Sequence, residues 1–299
     1  MIRYATEQDK PQVRALWEQG FGDEEPYTGW YFSRVFHSER TLVHEEEGRL
    51  LSSLQLAPYL LNVKGRPVPV AYIVGVITEE LSRGRGYAKA LLRRALSDLK
   101  EDGLELALLY TDIPGFYEPL GFTCCYRLRR LRFTATEAGP QWEKRQPDTA
   151  AIDHCQGVYR RMCSSFDGYV LRTAGNWQTY LEDWLTDGRN GLYTGEGAYV
   201  LSDAGESGFG IKEIGYTDED ALQQALACCA RLAADHGYSE FGWDAPESAL
   251  LPTQAEETLR PWVMARITGC PELPAAEAAA ATVELLGAPD PRLWVGEIT

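Results

Sequence analysis

The stretch Arg83-Gly84-Arg85-Gly86-Tyr87-Ala88 joins an uncharged apolar run, Ala71 to Thr78, to a helical pattern from Tyr87 to Lys100. Val70 to Ile77 carries Val, Tyr and Ile and reads as a buried strand. Ala88, Leu91, Leu92, Ala95, Leu96 and Leu99 recur at helical spacing, so the following segment has one apolar face. A glycine-rich turn feeding a helix leaves several backbone N–H groups unpaired where the helix dipole is positive. Such a turn binds anions, phosphates above all.

Spacing excludes two common phosphate loops. A dinucleotide fingerprint needs a third glycine three residues after Gly86, where Lys89 stands. A Walker A loop needs four residues between its glycines and a following Gly-Lys-Ser/Thr, which is absent. Arg83, Arg85, Lys89, Arg93 and Arg94 are basic, with no acidic residue from Leu81 to Ser97. In a chain of formal net charge −15 this is a local reversal of sign, suited to a ligand with several phosphates. The acidic balance argues against nucleic acid and anionic membranes as partners. No run reaches membrane length, and Met1 to Lys10 lacks the pattern of a secretory leader. Seven cysteines without a Cys-x-x-Cys, and four scattered histidines, give no metal motif. Reduced thiols in a cytoplasmic protein are expected.

With 299 residues the chain has room for two domains. Ile2 to Ala5 reads as a first strand, and Thr6 with Asp9 as a capping pair for a helix to about Gly20. Asp23 to Phe36 reads as a second helix rich in aromatics, where Trp30 and Tyr31 either fill the core or line a substrate mouth. Strands follow at Arg40 to Glu47 and Leu50 to Val63. Beyond the central helix come a strand at Leu104 to Tyr110, a short helix at Pro114 to Leu120 and a closing strand at Phe122 to Phe133. The fold class is mixed α/β, with a central, mostly antiparallel meander flanked by helices. A first domain is set at 1–135 and a linker at 136–151.

A second domain is expected at 152–260. Helices around Ile152 to Ser165 and Asn176 to Thr186 precede strands at Gly191 to Leu201 and Gly208 to Ile214. A helix follows from Asp218 to Asp235, then a strand at Ser239 to Trp243. The lead-in to that helix, Thr217-Asp218-Glu219-Asp220, has carboxylates where the first domain has arginines, and Thr217 and Asp220 are candidate caps. Those charges would repel a pyrophosphate, so this domain reads as a degenerate copy that lost the phosphate ligand, leaving one such site per chain. Residues 261–299 form an extension: a strand at Trp262 to Ile267, a helix from Pro274, and a hairpin of Thr282 to Leu286 with Leu293 to Ile298.

Two motifs carry a resemblance. Arg83-x-x-Gly86-x-Ala88 resembles the Arg/Gln-x-x-Gly-x-Gly/Ala pyrophosphate loop of the GCN5-related N-acetyltransferases (GNAT). About thirty residues on, Phe116-Tyr117-x-x-x-Gly121-Phe122 resembles the segment that follows their fifth strand. The resemblance covers Met1 to about Phe133. It implies acetyl-CoA as acyl donor, no metal, and direct attack of a primary amine on the thioester. Backbone groups of Val76, Ile77 and Thr78 would orient the acetyl carbonyl and pantetheine. Arg83, Gly84, Arg85, Gly86, Tyr87, Ala88 and Lys89 would hold the pyrophosphate. Tyr117 would protonate the leaving thiolate; the bland alternative is a buried ring. Tyr110 and Asp112 would face the cleft, with Asp112 either drawing in a cationic amine or merely capping the next helix. Glu79 and Glu80 are weaker base candidates.

The two-domain layout resembles the enhanced-intracellular-survival (Eis) type of bacterial acetyltransferase. Members of that group acetylate polyamine-like substrates, including aminoglycosides, and carry a third domain whose terminal carboxylate serves as base. Here only a truncated version, Met264 to Thr299, is expected. The reading is thus an N-acetyltransferase for a small cationic amine. Two alternatives are a tandem transferase with another acyl or aminoacyl donor and a non-catalytic acyl-CoA-binding sensor. Apolar strands at domain edges are compatible with a homo-oligomer.

Overall fold

The computed structural model describes residues 1–186, 188, 190–205, 208–246, 256–269, 273–286 and 293–294. They form two compact units: one has residues 1–125 and 263–286, the other the described residues of 126–262 with 293–294. In chain order the first half runs β1 (Ile2–Tyr4), α1 (Lys10–Phe21), α2 (Tyr27–Arg34), β2 (Thr41–Glu46), β3 (Arg49–Val63) and β4 (Arg66–Thr78). It continues with α3 (Tyr87–Glu101), β5 (Leu106–Tyr110), α4 (Pro114–Tyr117) and β6 (Thr123–Thr134). The second half has β7 (Lys144–Arg145), α5 (Thr149–Cys163), β8 (Gly168–Val170), α6 (Ala174–Leu185), β9 (Gly191–Gly195), β10 (Ala198–Gly205) and β11 (Gly208–Tyr216). Then come α7 (Glu219–Asp235), β12 (Glu240–Pro246), β13 (Glu256–Ile267), α8 (Ala275–Leu286) and β14 (Leu293–Trp294).

In the first unit the strand order is β1-β2-β3-β4-β5-β13, antiparallel except for β4 with β5. Apolar side chains at helical spacing dictate how α3 packs, and Leu91, Leu92, Ala95, Leu96 and Leu99 are all buried. The α1 and α2 helices bury Val13, Leu16, Trp17, Tyr31 and Phe32 in one aromatic cluster with Val43 and Leu50. Thr6 and Asp9 make the expected capping box, around a short 3-10 turn that leads into α1. Residues 263–267, read from sequence as part of an extension, pair with β5.

The second unit orders its strands β6-β12-β11-β10-β9-β7, and here the parallel pair is β11 with β12, on either side of α7. Phe133 stacks on Phe241 at 4.9 Å in its core, beside the buried Trp243 and the apolar face of α7. Three local expectations need correction. Gly191 to Leu201 is a hairpin rather than one strand, because the chain turns at Glu196 and Gly197 between β9 and β10. Thr282 to Leu286 is the last turn of α8, where the Thr282 hydroxyl donates to the Ala278 carbonyl at 2.7 Å. Its intended partner survives as β14, which pairs with β8, while residues 295–298 lie outside the described residues. The cap of α7 is Asp218, whose carboxylate accepts from the Ala221 N–H at 2.9 Å and from the Thr217 hydroxyl at 2.9 Å.

Candidate active site

The parallel strands β4 and β5 pair over only three positions, Val70 with Leu106, Ala71 with Ala107 and Tyr72 with Leu108. Beyond Tyr72, β4 continues six residues to Thr78 paired with β3, while β5 keeps β13 on its other edge along its whole length. Alternate backbone groups of Ile73 to Thr78 therefore face a side that has lost its partner strand. Part of the cause is a bulge: Gln55 pairs with Val74 and Ser53 with Ile77, so Gly75 and Val76 together oppose Leu54. Gly75 takes φ +64°, and a Cβ there would stand 2.6 Å from the Trp17 ring, so the bulge needs glycine for both conformation and space. Val76, Ile77 and Thr78 are half-buried along this open edge. The Ser52 hydroxyl fixes the edge by donating to the Ile77 carbonyl at 2.6 Å.

At the end of β4 the chain makes a 3-10 turn at Glu80–Ser82 and enters the loop. Gly84 and Gly86 take φ +80° and +83°, and Gly86 is the N-cap of α3. The first amide of the helix to find a backbone acceptor is Ala90, which donates to Gly86 at 3.0 Å; among the described residues those of Gly84 to Lys89 find no backbone acceptor. Nothing lies within 4 Å of where a Cβ would stand on either glycine, so the loop borders open space. Six amides, a helix N-terminus and room beside them suit the pyrophosphate of a coenzyme A. Arg83, Arg85 and Arg93 are exposed, and Tyr87, Ala88 and Lys89 half-buried. Arg94 does not join them. Its guanidinium is held by Asp98 at 2.8 Å, so the free positive charge is narrower than the composition suggested.

Glu79, a weak base candidate by sequence, is committed to Arg49 at 2.5 Å and to the Ser82 hydroxyl at 2.8 Å. Glu80 is exposed. Across the opening, α4 carries Tyr117, only 7% exposed and set edge-on to Phe116 and Phe122. Burial alone raises its phenol to about 12, so the hydroxyl stays protonated at neutral pH. The Lys89 ammonium lies 5.3 Å from the centre of the Phe116 ring, which links the first turn of α3 to α4. Asp112 is exposed and accepts from the Tyr110 hydroxyl at 2.7 Å. It does not cap α4, because the Ile113 N–H goes to the Thr111 hydroxyl instead.

The aromatic candidates on α2 part ways. Trp30 is half-buried beside Tyr27, whereas Tyr31 lies in the core, stacked on Trp17 at 4.5 Å. The Tyr31 hydroxyl donates to Gln55 Oε1 at 3.1 Å, and Gln55 Nε2, on a residue only 5% exposed, has no partner among the described residues. Sequence reasoning passed over Gln55, yet a single amide between Leu54 and Leu56 in an apolar strand is a readable sign of a special position. His44 and Glu46, which meet Tyr87, gave no such sign. Among the described residues no cluster of His, Cys, Asp and Glu could hold a metal ion, and no helix is long and apolar enough to cross a membrane.

Residues 1–125 match the family model of the acetyltransferase (GNAT) domain. No curated protein sequence matches the chain significantly. Among solved structures, a probable N-acyltransferase from Enterococcus faecalis V583 is similar over 90% of this chain and 73% of its own. It is 21% identical, with a TM-score of 0.72. Eis1 from Mycobacterium abscessus is 16% identical over 90% of this chain and 74% of its own, with a TM-score of 0.64. Saccharomyces cerevisiae N-myristoyltransferase, solved with myristoyl-CoA, is 10% identical over 89% of this chain and 82% of its own, with a TM-score of 0.58. At these identities the likeness is one of fold.

Proposed function

We propose, for a chain whose first 125 residues match the GNAT acetyltransferase domain, that this domain moves an acetyl group from acetyl-CoA to the primary amine of a small cationic acceptor. The observation that carries the reading is the parting of β4 from β5 directly above an amide-lined, arginine-flanked helix N-terminus. The pyrophosphate would lie on the amides of Gly84 to Lys89, with Arg83 and Arg85 beside it. The pantetheine would then run along the open edge of β4 as a substitute strand, using backbone groups of Val76 to Thr78 that face away from β3. That path places the thioester near α4.

In the reaction, the amine nitrogen attacks the thioester carbonyl carbon. The C–N bond forms, the C–S bond breaks, and its electron pair passes to sulfur, which takes the Tyr117 proton. The acceptor's surplus proton leaves to water, and the phenol is reprotonated from solvent. Exposed Asp112 would attract a cationic acceptor and take up a proton, with Tyr110 orienting its carboxylate. Trp30 would line the acceptor side, and Tyr31 would act only through Gln55 and the bulge. The acyl-CoA found in the yeast neighbour supports this class of donor. The second unit is read as a GNAT-like copy without a donor site.

Purified protein given acetyl-CoA and a panel of diamines, polyamines and aminoglycosides should release coenzyme A thiol with at least one of them. No thiol release and no acyl-CoA binding would overturn the assignment.

A further inference from the structure

We propose that His44 is a positioning residue for the phosphate loop, acting with Glu46 as a clamp on Tyr87. The proposal rests on the coenzyme A reading of that loop and adds to it a part of the fold that lies outside the motif. Tyr87 is the first residue of α3 and sits among the unpaired amides. Its ring lies on the His44 imidazole, with centroids 4.0 Å apart and planes 19° from parallel. Its hydroxyl donates to Glu46 Oε1 at 2.7 Å. His44 and Glu46 are two residues apart on β2 and therefore share the face turned to α3. One side chain thus ties the helix N-terminus to the sheet.

Loops of this kind bind weakly when they must be ordered by the ligand, because the ordering entropy comes out of the binding energy. A ring held on one face and tethered at its hydroxyl removes much of that cost before the ligand arrives. The imidazole serves here as a flat, neutral surface. Burial, and the chain's own N-terminal ammonium, lower its pKa, and its Nδ1 is buried without a partner. A phenyl ring would therefore do the same work without leaving a polar nitrogen unmet.

The test is coenzyme A binding by titration calorimetry, with kcat and KM for the acyl donor measured alongside. Loss of an aromatic pair predicts that His44→Ala weakens coenzyme A binding about three- to tenfold and raises the donor KM by the same factor, with kcat unchanged. His44→Phe should retain wild-type affinity, and Tyr87→Phe should lose part of it. Wild-type affinity in His44→Ala would overturn the clamp, as would an equal loss in His44→Phe and His44→Ala. Wild-type protein that took up no coenzyme A would overturn the donor assignment and the clamp together, so the two failures are told apart by the wild-type titration.

Discussion

The phenol of Tyr117 is held in a setting that decides its charge. Burial disfavours the phenolate and pushes its pKa up to about 12, so the hydroxyl keeps its proton at neutral pH. Tyr117→Phe should lower kcat about 10- to 1,000-fold with little change in donor affinity, as expected for loss of a general acid. The wild-type profile should show no alkaline loss assignable to Tyr117 up to about pH 10. Steady-state kinetics from pH 6 to pH 10 on both proteins would check this, and full activity in the Phe variant would remove Tyr117 from the chemistry. Asp9 is the counterpart in stability. Its carboxylate meets the Arg3 guanidinium at 2.7 and 2.9 Å and accepts from Thr6, and these bonds hold its pKa well below the carboxylate range despite burial. A depressed folded pKa contributes stability above the unfolded value of about 3.9 and loses it as pH falls from there toward the folded pKa. Asp9→Asn should thus lose about 1–3 kcal/mol at pH 7 and show a flatter decline below about pH 4, readable from urea unfolding at a series of pH values. A residue's neighbours in sequence foretold the Asp9 box. They could not foretell that Arg3, six residues back, would complete it.

Elements were legible where one period ran uninterrupted. The order β1-α1-α2-β2-β3-β4-α3-β5-α4-β6 follows the apolar pattern of the first half, because each segment there has either a helical stripe or an uncharged run. It failed at short range. The Glu196–Gly197 turn is embedded in apolar residues on both sides, and the end of α8 has β-branched and apolar residues that read equally well as a strand. The bulge at Gly75 was also invisible, since it depends on a ring from α1. That bulge shapes the open edge, so it has its own consequence. Gly75→Ala must place a methyl group within 3 Å of Trp17 in a left-handed conformation. It should cost about 1–3 kcal/mol of stability and lower kcat more than donor affinity, because the edge near Val76 to Thr78 shifts while the loop glycines do not. Thermal unfolding together with coenzyme A binding would separate the two effects. An Ala variant as active as wild type would show that the bulge serves packing alone.

For the whole molecule, the informative comparison is between two helices that follow a strand of a parallel pair. The first, α3, starts on Gly86 with free amides and two exposed arginines before it. The second, α7, starts on Asp218, whose carboxylate already satisfies the Ala221 amide, with Glu219 and Asp220 in the first turn. A pyrophosphate would find its donors taken and a negative field in place of a positive one. The second unit has also filled its interior beneath β11. Arg172 makes two 2.8 Å bonds to Glu213, both side chains fully buried, and its guanidinium lies 4.2 to 4.6 Å from the rings of Tyr159, Tyr180 and Trp177. Such a pair tolerates no lost partner; removing one costs about 3–5 kcal/mol. Coenzyme A should therefore bind at one site per chain, and Gly86→Val should abolish that binding by pushing a branched side chain from a strained, left-handed position into the space the pyrophosphate needs. The variant should keep its fold, because nothing surrounds the new side chain, and the circular dichroism spectrum checks this. Residual stoichiometric binding in Gly86→Val would place a second donor site in the molecule, and α7 would then have to be reconsidered as its anchor.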